Sequence, residues 1–331
     1  MTVLGIETSC DETAAAICRH GDIVSSVISS QEIHTAYGGV VPELASREHD
    51  RYLTSTVRAA LRKANVMREE LDAVAVTRGP GLMGALLTGV SFARGLAKGL
   101  GIQCLGIDHI EAHILANFIG YPELKYPFLC LLVSGGHTQI WRVNGLGEYG
   151  LLGETRDDAA GEAFDKGARI LGLGYPGGPA IERAAGGGDE DAVDFPQAFS
   201  RTDIIEFSFS GLKTALLTYV KGVGSPLTGK SLADVAASYQ KAIVAILLSK
   251  LKLSVDRTGI TTAAIAGGVA ANRTLRSNAR SVLSACTVLY PEPSLCTDNA
   301  AMVAFLGEKY LRDAPEKMKQ LAVVPNLRLS I

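Results

Sequence analysis

The sequence holds no Cys-x-x-Cys pair, no apolar run approaching a membrane span, few aromatic residues and no excess of positive charge. Each absence excludes something. The six cysteines, Cys10, Cys18, Cys104, Cys130, Cys286 and Cys296, have neither zinc-knuckle nor disulfide-framework spacing and mostly sit in apolar segments. They read as reduced, buried thiols of a cytoplasmic protein. An apolar run of about 18 residues is needed to cross a bilayer, and none is evident, so no membrane association is expected. Glu7, Asp11 and Glu12 interrupt the place where a signal peptide would need its apolar stretch. A net charge of −2 gives no overall field for nucleic acid, so any RNA contact must come from a local patch or a partner. One such patch is Arg47, Arg51, Arg58, Arg62, Lys63 and Arg68, interleaved with Glu43, Glu48, Asp50, Glu69 and Glu70.

Glycine is plentiful, 36 of 331 residues, and clusters beside apolar runs, where a backbone turns or approaches a ligand. Two kinds of unit each occur twice, in the same order. Val3–Ile17 reads as strand, polar turn, strand, and Phe128–Val143 repeats that pattern. Ala73–Gly81 reads as a buried strand and glycine turn leading into a helix to about Leu100; Thr262–Asn272 does the same, with a helix to about Cys286. This predicts a duplicated α/β chain. The expected domains are 1–115, with a C-terminal helix 299–331 packing back on it, and 116–298, with an insertion near 150–230. Two such halves, with hairpin turns that offer backbone N–H groups to phosphate, suit the actin, sugar kinase and Hsp70 ATPase (ASKHA) fold around a nucleotide cleft. Composition alone does not separate this from a Rossmann-like pair.

The most informative local signal is His109-Ile-Glu-Ala-His113, opening a helix behind Asp108 as N-cap. Residues four apart share a helix face about 6 Å apart, which suits two ligands of one metal; the plain alternative is two histidines at helical spacing. A metalloprotease is excluded by geometry. In H-E-x-x-H the glutamate base directly follows the first histidine, whereas Glu111 stands about 200° around the helix from His109. Gly224–Ser231 matches a P-loop letter by letter, yet Leu212–Gly222 before it has helical periodicity where a P-loop needs a buried strand. Ser134-Gly-Gly136, the Tyr175–Pro179 turn and Gly267-Gly268 with Asn272 together fit a nucleotide site. Asp165 and Glu182 flank Gly177-Gly178 and can accept from ribose hydroxyls, or be solvated carboxylates. Asp298, standing alone, reads as a helix N-cap.

Eight ordered motifs carry a resemblance. Gly5-Ile-Glu-Thr-Ser-Cys-Asp-Glu-Thr13, Gly38-Gly-Val-Val-Pro-Glu43, the His109/His113 pair, Leu132-Val-Ser-Gly-Gly-His-Thr138, Gly161-Glu-Ala-Phe-Asp-Lys-Gly167, Phe207-Ser-Phe-Ser-Gly-Leu-Lys213, Gly267-Gly-Val-Ala-Ala-Asn272 and Thr297-Asp-Asn-Ala-Ala-Met302 resemble the TsaD family of tRNA threonylcarbamoyladenosine biosynthesis proteins. The likeness runs from Val3 to about Phe305. It implies an actin/Hsp70-like fold and transfer of threonylcarbamoyl from threonylcarbamoyl-adenylate to N6 of the tRNA adenosine 3′ to the anticodon, releasing AMP. It further implies a metal, Fe2+ with Zn2+ or Mg2+ as alternatives, on His109, His113 and Asp298. The adenylate, or ATP, falls to Leu132, Val133, Ser134, Gly135, Gly136, Asp165, Gly178, Glu182 and Asn272. Most of the family has aspartate at the place of Glu182 or a similar acid. A paralogous dimer partner and a small ATPase are the implied helpers.

The chemistry needs positioning, charge stabilisation and a base, because the exocyclic amine of adenine is a poor nucleophile. Asp11, Glu12 and His137, in the two hairpin turns, are the candidate bases, with Glu12 slightly favoured. A sugar-kinase-like phosphotransferase gives no reason for paired histidines. A non-catalytic nucleotide-binding scaffold would be expected to lose them and Asp298.

Overall fold

The computed structural model describes residues 1–199, 203–224, 226–318 and 321–329. The chain divides into two compact units, Met1–Leu124 with Thr297–Ser330, and Lys125–Cys296.

The first unit holds β1 (Thr2–Glu7), β2 (Glu12–Arg19), β3 (Asp22–Ser30), α1 (Pro42–Ala64), β4 (Ala73–Gly79), α2 (Met83–Leu100), β5 (Gln103–Asp108), α3 (His109–Leu115) and α4 (Asn117–Gly120). Its sheet runs β3-β2-β1-β4-β5. β1 is antiparallel to β2 and parallel to β4, pairing Ile6 with both Ala15 and Val76. All six residues of β1 are buried, as expected of a strand covered on both faces.

The second unit holds β6 (Phe128–Val133), β7 (Thr138–Gly145), β8 (Glu148–Glu154), α5 (Ala160–Ile170), α6 (Gly177–Ala184), α7 (Ser210–Val223), α8 (Gly229–Thr258), β9 (Thr262–Ala266), α9 (Arg273–Val282), β10 (Thr287–Leu289) and α10 (Pro293–Cys296). Its sheet runs β10-β9-β6-β7-β8. β6 is antiparallel to β7 and parallel to β9, so β6, β7, β8, β9 and β10 repeat the order and directions of the first five strands. The duplication is thus present strand for strand. Between β8 and β9 this half carries four helices, α5 to α8, where the first half has α1 between β3 and β4. Its core includes the buried aromatics Phe164, Phe207, Phe209 and Tyr239.

The last helix, α11 (Ala300–Asp313), belongs to the first unit. It lies against β1 so closely that a Cβ on Gly5 would stand 2.4 Å from the Ala300 carbonyl oxygen. A helix reaching to 331 is not formed: α11 stops at Asp313, with Pro315 close behind it. Of that expected span, Lys319, Gln320, Ser330 and Ile331 lie outside the described residues. Likewise α9 ends at Val282, short of Cys286. The first unit continues past 115 because Phe118 is buried there, with the Lys309 ammonium of α11 5.4 Å from its ring centre. Among the described residues, α8 alone is long and apolar enough to cross a membrane, and 67% of its most apolar stretch is buried within the protein. That is the burial of a core helix.

Candidate metal and nucleotide sites

In each sheet, the loops that follow the central parallel strands gather at their carboxyl ends, where α/β proteins bind ligands. In the first unit these are the β1–β2 turn, the Gly79-Pro80-Gly81 turn and the start of α3. Leu82 N–H donates to the Ser9 carbonyl (2.8 Å), and a Cβ on Gly81 would strike that same oxygen at 2.6 Å. Glycine at position 81 is therefore required by close approach as well as by a φ of +157°.

Asp108 caps α3, accepting from Ile110 N–H at 2.8 Å and Glu111 N–H at 3.2 Å. The cap sets the helix so that His109 and His113 lie edge to face, ring centres 4.6 Å apart. Both are buried. Asp298 Oδ1 lies 3.1 Å from His113 Nε2 and 3.5 Å from His109 Nε2. Asp298 is not a helix cap. Asn299 caps α11 instead, its Oδ1 accepting from Met302 N–H at 3.0 Å, which leaves the Asp298 carboxylate to the histidines.

The other side of His109 is equally specified. Its Nδ1 lies 3.0 Å from Glu7 Oε2 and 3.2 Å from Ser9 Oγ. Glu7, wholly buried, also accepts from Thr77 Oγ1 (2.6 Å) and Ser9 N–H (2.5 Å). A carboxylate only accepts, so Nδ1 carries the proton and Nε2 faces Asp298. Metal-binding histidines are oriented in the same way by an outer carboxylate.

Burial opposes charge on His109, yet the Asp298 and Glu7 carboxylates outweigh it and hold His109 well above its ordinary pKa. His113 is lowered, chiefly by burial. Asp298 is held well below the carboxylate range against its burial, by His109 first and then His113.

These residues fit a metal ion. The three donor atoms lie within 4.8 Å of one another. Bonds of about 2.1 Å place adjacent ligand atoms about 3.0–3.4 Å apart, close to the observed 3.1 and 3.5 Å. Two imidazoles and one carboxylate leave coordination positions open. Glu111 takes no part: its Oε1 accepts from the Tyr310 hydroxyl, which ties α3 to α11.

Of the expected bases, Asp11 lies in the β1–β2 turn and Glu12 opens β2, paired with Ser30. Burial raises the Glu12 carboxyl to about 7 against the Ser30 hydroxyl it accepts from, and Asp11 and Asp298 add to the rise. A carboxyl poised near 7 suits a base. Every cysteine is free, and burial raises Cys10, Cys18, Cys104 and Cys130 above the ordinary thiol value, so they are inert rather than reactive.

In the second unit, the Ser134–His137 turn is closed by Ser134 N–H to the His137 carbonyl (2.8 Å) and His137 N–H to Ser134 Oγ (3.1 Å). The Leu132 and Val133 side chains are core, and their backbone is in the sheet, Leu132 paired with Gln139 and Ala266 and Val133 with Thr138. Gly135 and Gly136 are exposed, and a Cβ on either would meet nothing. Around them the packing leaves no such room. A Cβ on Gly267 would stand 2.4 Å from the Val133 carbonyl oxygen, and one on Gly161 2.6 Å from that of Ser134.

Each expected ribose acid accepts a backbone N–H. Asp165 Oδ1 accepts from Gly177 N–H at 2.7 Å, fixing the start of α6 beside Gly178. Glu182 Oε1 accepts from Arg273 N–H at 2.6 Å, at the start of α9. Asn272 caps α9 through Leu275 N–H (2.9 Å) and donates to Gln240 Oε1 (2.7 Å). Of the nine expected residues, Leu132 and Val133 end β6, Ser134, Gly135 and Gly136 lie in the turn after it, Asp165 lies within α5, Gly178 and Glu182 within α6, and Asn272 caps α9.

The P-loop match does not form a cradle. Helix α7 precedes it, and Lys230 is held by Asp234 (2.8 Å) and the Gly187 carbonyl (3.0 Å). Ser225 of that segment lies outside the described residues. Of the basic patch, Arg47, Arg51, Arg58 and Arg62 are exposed within about 60° of arc on α1. Arg47 pairs with Glu43 and Arg51 lies over Tyr52, while Lys63 turns to the Ser26 carbonyl and Arg68 pairs with Glu69.

The repeated five-strand sheets and the sites at their strand ends define a duplicated α/β protein of the actin/Hsp70-like ATPase fold. The HypF structure of T. kodakarensis has this fold at TM-score 0.62 and 16% identity, the match covering 94% of this chain and 47% of that one. The family model for TsaD, tRNA N6-adenosine threonylcarbamoyltransferase, matches residues 22–305, and the chain belongs to that family. The tRNA N6-adenosine threonylcarbamoyltransferase of Clostridium novyi (strain NT) is 49% identical, over 99% of this chain and 97% of that protein. That of Geobacter sulfurreducens is 51% identical, over 94% and 92%.

Proposed function

We propose that this chain transfers a threonylcarbamoyl group to N6 of a tRNA adenosine, the one 3′ to the anticodon, from threonylcarbamoyl-adenylate. The observation that carries the site assignment is the convergence of His109, His113 and Asp298, with Asn299 taking the cap that Asp298 would otherwise supply. The adenine N6 attacks the carbamoyl carbon, the bond from that carbon to the phosphate oxygen breaks, and AMP leaves. The amine proton passes to the Glu12 carboxylate, with Asp11 and His137 the alternatives that mutation distinguishes. When bound at His109, His113 and Asp298, a metal supplies Lewis-acid polarisation of an acyl or phosphate oxygen.

The chain's own groups do the rest. Glu7 keeps the His109 proton on Nδ1. The Ser134–Gly136 backbone receives the phosphate, and Gly178 with Glu182, Asp165 and Asn272 receives the nucleoside. Iron(II) is the proposed metal, with zinc or magnesium the alternatives for elemental analysis. The tRNA phosphates are assigned to the arginine face of α1. A paralogous partner and a small ATPase complete the proposal as helpers, in the cytoplasm.

The test is incubation of the purified protein with threonylcarbamoyl-adenylate and unmodified tRNA, with and without the helpers, scored by nucleoside analysis. Modified adenosine together with AMP is expected. AMP release without modified tRNA would indicate a hydrolase instead.

A further inference from the structure

Three consecutive carbonyls of the β1–β2 turn are gripped from within the first unit. Ser9 O accepts from Leu82 N–H (2.8 Å), Cys10 O lies 3.0 Å from His49 Nε2, and Asp11 O accepts from Gln31 N–H (3.3 Å). Only the middle grip comes from a side chain. His49 sits in α1 and is wholly buried. A carbonyl only accepts, so Nε2 carries the ring proton and Nδ1 is an acceptor. Its surroundings agree: Thr13 Oγ1 donates to Nδ1 at 2.8 Å and Gln31 Nε2 approaches it at 3.3 Å. Gln31 Oε1 in turn accepts from His34 Nε2 (2.8 Å), and His34 Nδ1 accepts from Val41 N–H (3.3 Å). Both imidazoles are thereby satisfied in one tautomer, and burial lowers the His49 pKa, which keeps it neutral.

A trans peptide holds its N–H opposite its carbonyl. Drawing Cys10 O inward therefore turns the Asp11 N–H to the other side of the turn and fixes the backbone that carries Asp11 and Glu12. We infer that His49 is a positioning residue for the transfer reaction, its Nε2–H holding the Cys10 carbonyl so that Asp11 and Glu12 keep the orientation the chemistry needs. The inference rests on the proposed role of that turn.

The experiment compares His49→Gln with His49→Asn in the full chain, assayed for transfer beside the wild type. The glutamine amide nitrogen reaches about as far as Nε2 and still donates to Cys10 O; the asparagine amide stops near the place of Nδ1. Displacing a reacting group by about 1 Å costs about 100-fold, so His49→Asn is expected to lower kcat about 10–100-fold. KM for both substrates and metal content per folded chain stay as in the wild type, and His49→Gln recovers to within about fivefold of it. A wild-type kcat in folded His49→Asn, or equal losses in the two variants, overturns the inference. Should His49→Asn fail to fold, Thr13→Val removes the hydroxyl that locks Nδ1 and is expected to lower kcat about 3–10-fold. An unchanged kcat there overturns the inference too. Nitrogen NMR of the imidazoles gives a readout apart from activity: a proton on Nδ1 of His49 at neutral pH refutes it. Failure of the wild type itself to modify tRNA counts against the proposed function and not against His49.

Discussion

Replacing Glu7 by glutamine keeps the side chain's volume and removes one acceptor from a fully committed carboxylate. Glu7 accepts on both oxygens, from Ser9 N–H on one and from Thr77 Oγ1 and His109 Nδ1 on the other. An amide has one accepting oxygen. If that oxygen stays with Ser9, the NH2 group faces Thr77 and His109. The threonine hydroxyl can rotate to accept, but the Nδ1 proton of His109 then meets a donor. The ring's remedy is to move its proton to Nε2, the atom that faces Asp298. Loss of such an outer carboxylate typically weakens metal binding about 10–100-fold, or about 1.4–2.7 kcal/mol. The assay is anaerobic competition with a chromophoric chelator, for iron(II) and for zinc, on wild type and Glu7→Gln, with urea unfolding of each as control. A dissociation constant within about twofold of the wild type, in a variant that folds, would refute the reasoning.

Other predictions follow from the same geometry. His109→Ala should lose the metal altogether, and equal metal content by elemental analysis would remove the site. If Glu12 is the base, kcat rises with pH through about 7, and Glu12→Gln flattens that limb; a limb that persists in the variant assigns the base elsewhere. Because the folded pKa lies above the unfolded value of 4.5, Glu12 stabilises the fold below that value and loses the contribution as pH rises through about 7. Glu12→Gln should therefore gain stability relative to the wild type between pH 5 and 8, read from unfolding midpoints. Lys230→Ala should leave adenylate affinity within about twofold, and a tenfold loss would restore the P-loop reading. Changing Arg51, Arg58 and Arg62 together to glutamate should weaken tRNA binding and flatten its salt dependence while sparing metal content. An unchanged salt slope would place the phosphate contacts elsewhere.

Much of this was legible along the chain because it is local. Strand and helix periods placed β1, β2, β4, α2, β6, β7 and β9 within a residue or two, and the repeated order of units announced the duplicated sheets. The i,i+4 histidines with a preceding aspartate are a short-range signal, since capping and helical spacing act within one turn. Motif order carried the family. Helix ends were less legible: α11 and α9 both stop earlier than their apolar patterning suggests.

Polar residues that work across the fold left weaker traces. Glu7 ends the buried strand β1 after Val3, Leu4, Gly5 and Ile6, and a lone carboxylate in that position is a signal that could have marked it. His49, Gln31 and His34 carry no readable signal, because their partners lie on other elements at distances the sequence does not measure. Asp298 shows the division most clearly. By sequence it stood at a helix start, where an aspartate is an ordinary cap, and only its match to a motif set it beside the histidines. Folding resolves the matter by giving the cap to Asn299 and bringing Asp298, 185 residues along the chain, to 3.1 Å from His113. Period and spacing determined the elements, and the ordered motifs the family. The proton positions, the outer carboxylate and the identity of the cap were decided by tertiary packing, because a buried polar atom must find its partner wherever the chain has placed one.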